Sequence, residues 1–142
     1  MVKLLAALLP AVRIPNESGP YLDRYTLAVF PDGAHLYLHH FLSSDAGADL
    51  HNHPWSGRSI ILSGGYREER RVGDTIVERV CRVGDTSTLQ PDTFHRLDIL
   101  DVEAGCWTLF YAGPHVQSWG FWDRVTGVVT PWRVALRARG LL

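Results

Sequence analysis

Leu50-His51-Asn52-His53-Pro54-Trp55 is the stretch on which the fold turns. His51 and His53 stand two residues apart, so on an extended strand both imidazoles leave the same face and converge on one point. Pro54 stiffens this arrangement, because the residue before a proline is pushed into extended conformations. Two core or surface histidines would give the same spelling, and a third histidine bears on the choice. His95 opens a further extended segment directly after the turn Gln90-Pro91-Asp92-Thr93.

Working outward, the chain from Tyr21 onward reads as short strands separated by turn residues. Tyr25 to Phe30 is the first clear run, and Pro31-Asp32-Gly33 presets a tight turn. The return strand, Ala34 to Leu42, places His35, Tyr37, His39 and Phe41 on one face and Leu36, Leu38, His40 and Leu42 on the other. Ser59 to Leu62 follows, broken by Gly64-Gly65. Tyr66 to Val72 and Thr75 to Val83 form a hairpin around Gly73-Asp74, with residues Arg67 to Arg71 expected as a solvated, charged edge. Thr86 to Leu89, Phe94 to Leu100 and Trp107 to Ala112 complete the strands. Eight or nine strands at such spacing predict an all-β sandwich, jelly roll or barrel. One helix is expected, about residues 131–141, with Pro131 near its start and Gly140 at its C-terminal cap.

The bulk composition narrows the function. The chain has 142 residues, the length of one domain, with a core expected over about 21–122 and an N-terminal arm over 1–20. Hydrophobic residues make up 46% and charged residues 20%, the balance of a globular protein. Fourteen basic residues against fifteen acidic ones give no field to hold nucleic acid or an anionic membrane. Cys81 and Cys106 form no CxxC pair and read as small buried hydrophobes. The apolar run Val2 to Leu9 is too short to span a bilayer and lacks an export cleavage pattern, so a cytoplasmic protein is expected.

The three histidines and the glycines around them resemble the cupin family. Cupins carry a first motif G-x5-H-x-H-x3,4-E-x6-G and a second motif G-x5-P-x-G-x2-H-x3-N on neighbouring strands of one small barrel. His51 and His53 match the first pair, Gly64 or Gly65 its closing glycine, and Gly84 and His95 the start and the histidine of the second. The likeness covers about residues 25 to 112. The phrases L-H-N-H-P-W, I-L-S-G-G-Y, F-H-R-L and G-P-x-x-x-x-W-G-F are similar to a group of small cupins of bacteria and phages. There are departures: Arg58 or Ser59 stands where many cupins place a glutamate ligand, and Gln90 where the second motif has proline. The three-histidine set without a carboxylate is similar to that of thiol dioxygenases.

The resemblance implies a single-domain cupin jelly roll holding a divalent metal ion on His51, His53 and His95. Fe(II) is favoured, while zinc, nickel, manganese or copper would also suit such a site. Three ligands leave positions open, as a substrate or dioxygen requires. The expected activity is a dioxygenase-like oxidation of a small molecule. Metal-assisted isomerase or lyase chemistry and a non-catalytic binding module are the alternatives. Tyr37, His39 and Arg58 are the candidates for orienting the substrate, with Arg58 turned inward to fork an anion. His39 would serve equally as a hydrogen-bonded core histidine and Arg58 as a solvent-facing side chain. The dense aromatics of Trp119-Gly120-Phe121-Trp122 read as packing or as a pocket roof. The N-terminal arm, the charged hairpin and these surplus aromatics predict a homodimer.

Overall fold

The computed structural model describes all of residues 1–142. Two six-stranded antiparallel sheets face one another. In the first, β1 (Ala11–Asn16), β2 (Gly19–Val29) and β3 (His35–Phe41) are followed by β10 (Cys106–Ala112), β5 (Gly57–Ser63) and β8 (Thr86–Leu89). The second runs in the order β12 (Val129–Pro131), β11 (Gly120–Trp122), β4 (Leu50–His51), β9 (His95–Ile99), β6 (Gly65–Val72) and β7 (Thr75–Arg82). Neighbours distant in sequence thus become neighbours in space, as in a jelly roll.

Between the sheets lies a core of Leu22, Phe41, Ile61, Tyr66, Cys81, Leu97, Ile99 and Cys106. Both cysteines are buried and free, as small hydrophobes. The outer face of the first sheet is covered too. Helix α1 (Val2–Ala6) sets Ala6 against Leu38 and Trp107, so both faces of β3 are buried at its centre. The apolar run Val2 to Leu9 thus begins as a short helix laid against the barrel.

Turn chemistry places several boundaries where the residues predict them. Pro31-Asp32-Gly33 closes β2 onto β3, with Gly33 at positive φ and the Asp32 carboxylate accepting from the amide of Ala34 at 2.9 Å. Helix α2 (Trp132–Ala138) follows Pro131, and Gly140 at φ 72° ends it. Three short strands were not anticipated: β1, β11 and β12. The hairpin of β6 and β7 forms, but only β7 lies at the sheet edge; β6 is sandwiched between β7 and β9. The run Arg67 to Arg71 is therefore no solvated edge, and Glu68 is only 1% exposed.

Gly64 is needed for the chain reversal between β5 and β6. Its φ is +77°, and a Cβ there would collide with the carbonyl oxygen of Gly105. Replacement by alanine therefore meets both backbone strain and a backbone clash. Gly64→Ala is expected to lower unfolding free energy by more than about 1 kcal/mol, read from the midpoint of urea denaturation at unchanged slope. A midpoint equal to wild type would contradict this account of the turn.

Candidate metal centre

The three histidines predicted from sequence come together between the sheets. His51 lies on β4 and pairs directly with His95 on β9. His53 follows just past the end of β4, which is shorter than the strand expected there and closes at His51. Convergence survives because the segment is pinned from outside. The amide of Gly120 donates to the Asn52 side-chain oxygen at 2.8 Å, and the Gln117 amide donates to the carbonyls of His53 and Pro91 at 3.0 and 2.6 Å. One ligand nitrogen from each of His51, His53 and His95 lies within 4.8 Å of the others. The Nε2 atoms of His53 and His95 are 3.0 Å apart.

Behind His95 stands the residue that motif matching missed. The Nδ1 of His95 is 2.8 Å from Oε2 of the buried Glu68. Arg70 and Arg79 approach the other carboxylate oxygen at 3.2 and 3.4 Å. Burial pushes the Glu68 carboxyl up, but the hydrogen bond from His95 and the charges of His95 and Arg70 outweigh it and bring it down to about 2. Glu68 therefore stays ionised and accepts a hydrogen bond from Nδ1 of His95, which turns Nε2 toward the other two rings. Asp45 lies behind His51 in a looser version of the same arrangement, 3.7 Å from Nδ1.

Burial is also the largest influence on His51 and His53. It lowers His51 to about 4, against the opposing pull of Asp45. It lowers His53 well below the ordinary range, and the charges of His51, His95, His39 and Arg24 add to the effect. Both rings are neutral near neutral pH, the state in which imidazole binds a metal. Three converging imidazoles, two of them held neutral by their surroundings and the third oriented by a carboxylate, fit a divalent cation. No carboxylate oxygen belongs to the cluster itself.

The cluster opens into a cavity of about 400 Å³, the size of a small-molecule site. His39 lines it, is 5% exposed, and stacks on Phe110 at 5.2 Å. Burial and then the charge of Arg24 hold its pKa at about 3. Tyr37 stacks on His39 at 5.4 Å but stays behind the cavity wall. Arg58 is not brought to the site. It is exposed on β5, opposite Tyr111 and Thr88, and strand alternation turns the neighbouring Ser59 inward in its place. Arg96 points away, as alternation predicts, to Asp98 at 2.6 Å. Within the aromatic segment, Trp119 reaches the cavity while stacking on Trp132 at 5.8 Å.

No family model matches the chain, and no curated protein matches it in sequence. Solved structures do match its fold. Fe(II)-HppE with the alternative substrate (S)-1-HPP superposes with a TM-score of 0.60 at 10% identity, covering 73% of this chain and 55% of that one. HEPD from Streptomyces albus, with 2-hydroxyethylphosphonate and Fe(II) bound, gives 0.60 at 14% identity, covering 77% of this chain and 25% of that one. KdgF from a Halomonas species gives 0.58 at 15% identity, covering 77% and 92%. The chain thus spans just over half of HppE and a quarter of HEPD, but nearly all of KdgF. These are cupin-fold proteins, and this chain has the cupin fold with a three-histidine cluster at its centre.

The depressed histidines set a pH dependence. His39 and His51 titrate near 3 and 4 in the folded chain, against about 6.5 when unfolded. Below about pH 6.5 the unfolded state binds more protons, so the stability these groups contribute is complete above that pH and is lost as pH falls toward their folded values. The metal-free protein is expected to show a denaturation midpoint that declines steadily from about pH 7 to pH 4.5. A midpoint flat across that window would mean that the rings are not held neutral.

Proposed function

We propose that the chain is a metal-dependent cupin enzyme acting on a small molecule, with dioxygenase-like oxidation at Fe(II) as its chemistry. The observation that carries this reading is the convergent triad of imidazoles backed by Glu68. A divalent ion on three such ligands supplies Lewis acidity, open coordination positions and, as Fe(II), redox capacity. His51, His53 and His95 bind it. Glu68 accepts the hydrogen bond from His95 Nδ1 and so turns Nε2 toward the other two rings. Phe110, Trp55 and Leu89 line the cavity with apolar surface that excludes water. His39 contacts the substrate, and Tyr37 acts from behind it. The Fe(II) named with HppE and with HEPD supports the choice of metal.

His51→Ala and His95→Ala are each expected to abolish stoichiometric metal in the purified protein while leaving the β-sheet circular dichroism intact. Full metal content in either variant would refute the site. Iron-loaded wild type is further expected to take up oxygen with a small-molecule substrate. Metal retention without oxygen uptake would transfer the reading to isomerase or lyase chemistry, and a metabolite retained unchanged would favour a binding module.

Self-association is proposed as well, as a homodimer. Helix α1 and the turn after it leave Leu4 and Leu8 exposed on the outside of the first sheet, apolar area that a second copy would bury. Light scattering is expected to give twice the 15.9 kDa chain mass. The chain mass at every concentration would exclude the dimer.

A further inference from the structure

The charges inside the cavity do not balance. Apart from the histidines, its charged lining residues are Arg24 and Glu68. Glu68 is ion-paired with His95, Arg70 and Arg79. Arg24 has no carboxylate within ion-pair distance; of the other half-buried arginines, Arg70, Arg96, Arg124 and Arg139 each have one, while Arg71, outside the cavity, lies over the Trp122 ring and donates to the carbonyl of Gly73. Its contacts are of another kind. Nε donates to Nε2 of His39 at 3.2 Å, and the guanidinium lies 4.7 Å over the ring of Tyr37. Nη1 and Nη2 have no hydrogen-bond partner in the protein.

Holding a guanidinium half-buried without a counter-ion is unfavourable, and burial indeed lowers the pKa of Arg24. The stack on Tyr37 and the bond to His39 fix the fork in one orientation, which reduces the entropy lost when a planar oxyanion docks on it. Arg24 also sits at one end of a continuous wall. It is the cross-strand partner of His39, which stacks on Phe110; Phe110 meets Trp55 edge-on at 5.1 Å, and Trp55 stacks on His53 at 4.3 Å. A small molecule along this wall meets a cation at one end and the histidine cluster at the other.

We infer that the cavity takes a small oxyanion, a carboxylate or phosphonate, whose charged group is bound by the Nη atoms of Arg24 and whose other end reaches the histidine cluster. This rests on the proposed metal site for the position of the ligand's far end, not for its charge. Arg24 thereby fills the anion-binding role that sequence assigned to Arg58, and Tyr37 becomes a positioning residue that holds the guanidinium.

The test titrates acetate, methylphosphonate and the neutral isostere acetamide into the full-length protein, both metal-free and zinc-loaded, by calorimetry. Wild type is expected to bind at least one oxyanion about tenfold or more tightly than acetamide, and Arg24→Gln to lose that preference by a similar factor. Arg24→Lys retains the charge but not the fork. It is expected to keep the wild-type melting temperature and to bind with intermediate affinity, which separates loss of binding from loss of folding. Zinc stoichiometry should be unchanged in both variants. Equal oxyanion affinity in wild type and Arg24→Gln, or no preference of wild type for either oxyanion over acetamide, would overturn the inference. Protein that takes no zinc yet binds oxyanions through Arg24 would uphold it and remove the metal reading; stoichiometric zinc with oxyanion binding indifferent to Arg24 would do the reverse.

Discussion

An ionised carboxylate in a protein interior persists only where cations and donors close around it, and Glu68 imposes that requirement on this barrel. Its partners come from three strands: Arg70 from β6 itself, Arg79 from β7 and His95 from β9. Removing one of them would weaken the compensation of a carboxylate that is almost wholly buried. The hairpin β6–β7 is thereby held to β9, and the pairing of His95 with His51 carries the same constraint on to β4. One electrostatic demand thus orders the strands that present two of the three candidate ligands.

The third ligand depends on different forces. His53 lies beyond its strand, so no ladder positions it. Its ring is stacked on Trp55 and its carbonyl is held by Gln117, from the loop that leads to β11. Asn52, between the two histidines, faces the other way and ties that loop back to the chain through Gly120. The short sequence from His51 to Trp55 therefore alternates between groups directed at the cluster and groups that anchor it.

Much of this was legible from the chain alone. The His-x-His pair with the third histidine, the Pro-Asp-Gly turn, the strand at Thr86–Leu89 and the capped C-terminal helix follow from local rules of side-chain alternation and backbone preference, and these appear where predicted. What escaped depends on tertiary context. Glu68 sits in a run of charges that reads as a solvated edge; only the addition of β9 beside β6 buries it, although alternation with Tyr66 and Arg70 on one face was a usable sign. The strands β11 and β12 are three residues each and owe their existence to partners far away in sequence. Arg58 and Arg24 carry the same chemistry, and nothing local distinguishes them. The difference is the sheet face, and at β5 the residue facing the cavity is Ser59.

The two sheets divide the chemistry of the cavity between them. His51, His95 and Glu68 belong to the second sheet, while Arg24, His39, Phe110 and Ser59 belong to the first. Descendants of such a barrel can exchange residues on β2, β3 or β5, and so change what they accept, without disturbing the strands that hold the histidine cluster. A histidine cluster held mainly by one wall and a lining free to drift on the other give the architecture a route to diversification in which the cavity can be reshaped while the cluster stays in place.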